Sequence, residues 1–259
     1  AGYSYNVSGH SMVRWMWATG TSFSNDASAT SVGSVDTAGT ISADAGFSIM
    51  TYTGVSGQQT IAHGLGAVPK MVMVKNLDSS ENWRVYHHSI GAGSYLKLND
   101  QATKTDDTGP FSNTTPTSTV ITMGGDDGTM HGSEAHVAYI FAEKQGYSKM
   151  GKYVGNGNSN GTFVYTGFRP AYLLYKNVDT ADEFFIHDNK RSGYNDENEY
   201  LFASIDQAEG TANRIRFTAN GFKALDSDKG VNKAGDTYVY LAIAEMPFVN
   251  SKGVPGNAR

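Results

Sequence analysis

At 259 residues the chain can bury one large core or two of ordinary size, and its net charge of −5 leaves no electrostatic footprint for nucleic acid. The absence of cysteine removes disulfides and thiolate chemistry, and no apolar run approaches the roughly 18–20 residues of a membrane span, so membrane insertion is not expected. Low charged content (17%) with 30 Gly, 15 Tyr and 12 Phe points to β-sheet interrupted by many turns.

The first apolar stretch is Gly9-His10-Ser11-Met12-Val13-Arg14-Trp15-Met16-Trp17. It resembles two later closing segments, Gly132-Ser133-Glu134-Ala135-His136-Val137-Ala138-Tyr139-Ile140 and Gly235-Asp236-Thr237-Tyr238-Val239-Tyr240-Leu241. It therefore reads as the last strand of an earlier copy, and residues 1–17 are expected to add a strand to a preceding or neighbouring domain of a longer protein. Residues 19–45 are rich in Ser, Thr, Gly and Ala and read as a linker.

Residues 47–53 form the first predicted strand of a module and stop at Gly54; residues 59–63 form a short second one. Residues 71–75 (Met-Val-Met-Val-Lys) are almost continuously apolar, which suggests a strand covered on both faces and begun after Pro69. The turn at residues 76–81 is built from side chains that bond their own backbone. Further strands are expected at residues 82–87, 95–98, 119–123 and 137–142.

From Gly146 the same order starts again. Strands are expected at residues 147–154, 162–166, 171–176, 183–188, 200–202, 214–218 and 239–244, with residues 214–218 as the counterpart of 119–123. The spacing is kept: Gly54 to Pro69 and Gly155 to Pro170 are both 15 residues, Pro69 to Lys75 and Pro170 to Lys176 both 6, and Lys75 to Glu143 and Lys176 to Glu245 are 68 and 69. Anchors held in register over a hundred residues mark a tandem duplication. The expected fold is all-β: two tandem β-sandwich domains of like topology at residues 46–145 and 146–248. Residues 1–45 precede them as end strand plus linker, and residues 249–259 follow as a tail. Helix, if any, is expected only in pieces such as residues 204–208.

Several segments together resemble a known family. They are Gly46-Phe47-Ser48-Ile49-Met50-Thr51-Tyr52-Thr53-Gly54, His63-Gly64-Leu65-Gly66, Val74-Lys75-Asn76, Thr166-Gly167-Phe168-Arg169-Pro170-Ala171, Asn220-Gly221-Phe222-Lys223 and Asn257-Ala258-Arg259. They resemble a module of unassigned role repeated in virion proteins, tail-fibre-like ones above all, of bacteriophages from marine and freshwater hosts. In that family it often follows a lectin-like sandwich of the concanavalin A type. The resemblance covers nearly the whole chain. It implies a virion structural or attachment protein, located in the particle, and it brings no catalytic or ligand residues with it. A tail fibre or spike that mediates host attachment is the leading expectation. A capsid decoration or head-fibre protein is the alternative, and a tailspike-like polysaccharide depolymerase is the alternative from another class. A homo-oligomer, a trimer above all, is expected because a fibre without disulfides must resist dissociation. The other expected partners are virion proteins and a host surface glycan.

No nucleophile with an attendant base recurs in the two copies, so no enzyme activity and no cofactor are expected. His87-His88 has the composition of a metal or base site, but the second copy has Asp188-Asn189 there and adjacent strand residues face opposite sides. His63, His131 and His136 lack the HExxH spacing. Asp126-Asp127-Gly128 and Asn195-Asp196-Glu197-Asn198-Glu199 carry Ca²⁺-type oxygens but match no EF-hand loop, so no metal site is assigned. The terminal Glu143 and Glu245 are expected to pair with a Lys or to accept backbone bonds. Gly155-Asn156-Gly157-Asn158-Ser159-Asn160-Gly161 lacks the Lys of a phosphate loop and reads as a hairpin turn. Trp83, Tyr86, Tyr95 and Tyr200 match core positions of a repeat, whereas Tyr194 lies in a loop longer than its counterpart. Attachment is expected in loops that differ between the copies, at residues 89–94, 124–133 and 190–199. The candidate receptor or glycan contacts are Tyr194, Asp196, Trp83 and His88.

Overall fold

In a computed structural model, residues 13–18, 20–191 and 196–247 are described. The first half contains β1 (Thr21–Asn25), α1 (Ala27–Thr30), β2 (Thr37–Ser42), β3 (Phe47–Thr53), β4 (Gln59–Ala62), β5 (Pro69–Asn76), β6 (Arg84–His87) and β7 (Ser94–Lys97). It closes with β8 (Thr105–Asp106), β9 (Val120–Met123), α2 (Asp127–Met130) and β10 (Ala135–Ala142). The second half contains β11 (Ser148–Val154), β12 (Phe163–Tyr165), β13 (Pro170–Asn177), β14 (Phe184–Asp188), β15 (Glu197–Phe202), β16 (Gly210–Thr218), β17 (Gly221–Ala224) and β18 (Thr237–Ala244). The fold is all-β, as the composition implied.

Each half is built on one antiparallel sheet. The order β3-β10-β5-β6-β7-β8 in the first half is matched by β11-β18-β13-β14-β15-β16 in the second. Both closing strands meet the central strand through a register shift at its leading proline, Pro69 or Pro170. The recurring Gly54 and Gly155 mark close backbone approach: a Cβ on Gly54 would lie 1.9 Å from the His131 carbonyl oxygen, and one on Gly155 2.2 Å from that of Lys233. β4 pairs with β9 as a separate two-stranded sheet, and its counterpart, β12 paired with β17, ends the second large sheet. The counterpart of β9 is therefore β17, Gly221–Ala224, and not residues 214–218 as expected. Those residues belong to β16, a long strand that answers to the two-residue β8 and links β15 to β17.

The near-continuous apolar strands are covered on both faces, and the second cover is the other module. On β5, Val72 and Val74 face their own core with Met50, Tyr86 and Ile121, while Met71 joins a third core between the halves. On β13, Leu173 and Tyr175 face inward and Leu174 faces the shared core. That shared core also buries Phe47, Val85, Leu96 and Phe141 from the first half against Met150, Phe184, Ile186, Val239 and Leu241 from the second. At about 1.5–3 kcal/mol for each large side chain removed from water, this contact holds the two large sheets face to face.

Three further expectations are corrected. Residues 19–45 are not a linker: β1 and β2 form a hairpin that extends the first sheet beyond β3, with Ala38 opposite Thr51 and Ser42 opposite Phe47. Residues 13–18 form no strand; Trp15 and Trp17 instead pack edge-on against Tyr172 at 5.6 and 5.5 Å, and Trp17 also meets Phe141 at 6.5 Å. The rings are half-buried in the crevice between the sheets; residues 1–12 lie outside the described residues. Residues 204–208 are not helical, and the helical turns occur at α1 and α2, each started by an Asp side chain that accepts a backbone N–H.

Candidate functional site

The polar residues shared by the two copies are engaged in building turns. Asn76 Oδ1 accepts from the N–H groups of Asp78 and Ser79 at 3.0 and 3.1 Å, and its Nδ2 donates to the Asp127 carbonyl at 2.9 Å. Asn177 repeats the pattern with Asp179, Thr180 and Lys229 at 2.9, 3.0 and 2.8 Å. Lys75 Nζ donates to the carbonyls of Asn76, Ser79 and Glu81 at 2.7, 3.0 and 2.9 Å. Lys176 reaches the Asp182 carbonyl and, across the module boundary, that of Gln101 at 2.8 Å; burial pushes its ammonium down to about 8. Tyr52 and Tyr153 donate to the Thr129 and Val231 carbonyls at 2.6 and 2.7 Å. Glu143 lies 3.8 Å from Lys149, the expected kind of partner, whereas Glu245 pairs with Arg169 at 3.2 Å and accepts from the Asn189 side chain at 2.7 Å, in place of the expected Lys or backbone bonds.

The three candidate contacts among the described residues do not converge. Trp83 packs on Tyr139 at 5.8 Å and lines an apolar crevice of about 310 Å³ between the sheets, with Trp17, Met73, Leu98 and Tyr172. A wall of this kind offers almost no partner to sugar hydroxyls, whose burial without hydrogen bonds is unfavourable. Asp196 forms a two-bond ion pair with Arg216 on β16. Tyr194 lies outside the described residues. His88 lines a polar cleft of about 630 Å³ with Lys70, Glu143, Gln145, Lys149 and Tyr165.

The histidine pair is absorbed by packing. His87 is fully buried between the modules: its Nδ1 accepts from the Ser89 N–H at 3.2 Å and its Nε2 faces the Tyr240 carbonyl of β18 at 3.2 Å. Burial, reinforced by the neighbouring His88, pushes its imidazole down to about 3, so the ring is neutral. His88 Nε2 faces the Met150 carbonyl of β11 at 3.2 Å and lies 3.2 Å from Ser89 Oγ. A nitrogen facing a carbonyl must carry its proton, so it is not available to take one from Ser89, and the contact is not a nucleophile–base pair.

The acidic clusters are accounted for in the same way. Asp126 starts α2 and holds Arg84 at 3.0 Å. Among the described residues no three His, Asp or Glu side chains are grouped to hold a metal ion. Of the three variable loops, residues 124–133 are anchored by buried Gly128, Thr129 and Met130, and residues 89–94 by buried Ala92 and Ser94. In residues 190–199, Arg191 pairs with Asp188 and Glu209 and Asp196 pairs with Arg216, while residues 192–195 lie outside the described residues. Sequence reasoning missed a more exposed surface, the side of the second module carrying Val154, Phe163 and Tyr165, which are 53%, 47% and 58% exposed. Their alternation with buried neighbours on β12 was its one available signal.

No curated protein and no solved structure matches the chain. One family model does match, over residues 1–247, and so spans both copies and the hairpin before them. The chain belongs to the family described as Domain of unknown function (DUF7483).

Proposed function

We propose that the protein is a non-catalytic structural component of a bacteriophage virion, a self-associating tail fibre or spike module that contacts a host surface glycan through its variable loops. The observation that carries this reading is the fate of the shared polar residues. Asn76, Asn177, Lys75, Lys176, Tyr52 and Tyr153 all bond backbone carbonyls or turns, which makes the doubled sheet a scaffold. A scaffold of this kind keeps its strands constant and changes at loops, where recognition is placed without loss of the core. The sequence resemblance to repeated virion modules supports the location. Residues 190–199, with Asp196 held toward β16, form the favoured contact loop.

Labelling the virion with an antibody to this chain tests the location: signal on the tail supports the reading, signal on the head moves the protein to a decoration role, and no signal sinks both. Asp196→Ala tests the loop. The Arg216 side chain it pairs with is 47% exposed, so the substitution is expected to leave the melting temperature nearly unchanged while lowering adsorption to host cells. Undiminished adsorption would remove the loop from the reading.

A further inference from the structure

In the first module the hairpin β1–β2 and the segment leading into β2 close one side of the sandwich. β2 pairs antiparallel with β3 from Phe47 to Thr51. The preceding residues cover β4: the Ser34 N–H donates to the Thr60 carbonyl at 2.8 Å, Val35 bridges Ile61, and Thr37 Oγ1 donates to the Ala62 carbonyl at 3.2 Å. Beneath this cover Ala62 is 1% exposed.

The second module has the same two strand edges, and among the described residues no strand pairs beyond them, although His88 Nε2 meets the Met150 carbonyl and the Thr162 hydroxyl the Val154 carbonyl on the outer side of β11. Only residues 143–147 separate β10 from β11, too few for a hairpin. Among the described residues β11 pairs with β18 alone and β12 with β17 alone. Alignment of the ladders places Phe163 where the first module has Thr60, and Tyr165 where it has Ala62. Both aromatics are about half exposed, and Val154 joins them through the Thr162 hydroxyl, which donates to its carbonyl at 2.8 Å. Small or polar residues under a cover have thus become large apolar residues facing outward. Exposed aromatics beside an open strand edge are the composition of a partner site, not of a solvated face.

We propose that this side of the second module docks the β1–β2 hairpin of a second copy of the chain, so that copies join head to tail. Three features favour that occupant. In the first module the equivalent edge already accepts an added antiparallel strand, β2 on β3, so an edge of this kind suits such pairing. Among the described residues the hairpin's outer strand β1 ends the first sheet, so β1 of one copy and the stretch of β11 around Lys152 that His88 and Thr162 leave open in the next would satisfy each other. The charges are complementary: β11 carries Lys149 and exposed Lys152, while the hairpin carries exposed Asp26 and Asp36. A contact between unlike surfaces is heterologous and builds a closed ring or an open filament. The inference deepens the self-association included in the reading above.

The test uses two half-blocked variants of the whole chain. Phe163→Ser/Tyr165→Ser/Lys152→Glu removes the receiving side, and Ser22→Lys/Ser24→Lys, at two exposed β1 positions, blocks the hairpin side. Unchanged circular dichroism and melting temperature certify that both fold. By light scattering the wild type is expected to assemble with rising concentration, and each variant alone to stay monomeric. An equimolar mixture is expected to give a 1:1 dimer and nothing larger, because one complementary pair of surfaces remains. Wild-type assembly that both variants retain, or a mixture that yields no dimer, overturns this surface while leaving self-association intact. A monomeric wild type overturns the surface and self-association together, and leaves the virion location to the labelling experiment.

Discussion

In the first module Arg84 on β6 reaches Asp126 at 3.0 Å, with its guanidinium 5.3 Å from the Tyr95 ring. In the second, the place of Arg84 is taken by Phe185, and the cation comes from β16: Arg214 reaches Asp228 at 2.6 Å and lies 5.1 Å from Tyr200, the partner of Tyr95 in the repeat. The site of the charge is conserved while the strand that supplies it is not. An acidic turn packed against a sheet end must be compensated, and any strand with a long enough reach meets that need. Stacking follows the same rule: Tyr52 stacks on His136 at 5.2 Å in one module and Tyr153 on Tyr238 at 4.8 Å in the other. A flat ring is required there, whereas its chemistry is free to change.

If the two modules share their anchors, breaking the same anchor in each should cost the same. Asn76→Ala and Asn177→Ala each remove a buried amide that serves two N–H groups and a carbonyl, so each is expected to destabilise by about 3 kcal/mol or more in urea unfolding. A gap between them above about 1 kcal/mol would show that one module has found a second way to hold its turn.

The arginines are expected to differ. Asp126 is 17% exposed and Asp228 39%, so water compensates the second carboxylate better when its partner is removed. Arg84→Met is expected to cost about 2–3 kcal/mol and Arg214→Met about 1 kcal/mol, the latter figure allowing for solvent screening. Burial alone would raise Asp228, but the hydrogen bond from Arg214 and the Gly230 N–H hold it below the usual carboxylate range. Equal losses would mean that the stacking on Tyr95 and Tyr200, and not the ion pair, dominates at both sites.

The smallest expected effect sharpens the asymmetry between His87 and Asp188. His87 is held at about 3, below the roughly 6.5 of an unfolded histidine. Below 6.5 the unfolded chain binds a proton that the folded chain refuses, so stability is full above that pH and is lost as pH falls toward 3. Between pH 6.5 and 5.5 this single group is expected to remove about 1 kcal/mol. Burial also lowers His63, His88 and His136, which adds in the same direction. His87→Gln should flatten part of the profile measured by urea midpoints at several pH values. An unchanged slope would show that the buried contact with Tyr240 does not govern acid sensitivity.

Several features were legible in the residues alone because they depend on local rules. Gly54 and Gly155 accept a close backbone approach, Pro69 and Pro170 begin strands, and the Lys-Asn pairs close turns whose atoms lie within a few residues. The apolar runs of β5 and β13 announced cover on both faces. They carried no information about what covers the second face, because a side chain facing Met71 or Leu174 is distant in the chain and any apolar partner satisfies it. The hairpin escaped notice for a related reason. Thr21-Ser22-Phe23-Ser24-Asn25 has a single apolar residue, and its strand state is imposed by pairing with β2, which pairs with β3. The same holds for the candidate contacts. Trp83 and His88 are separated into an apolar crevice and a polar cleft by which face of the first sheet each side chain leaves, and by what the second sheet places opposite it. Local bonding and periodicity were set by the order of residues, and the meeting of the two sheets, made of contacts far apart in sequence, decided which surfaces remain open.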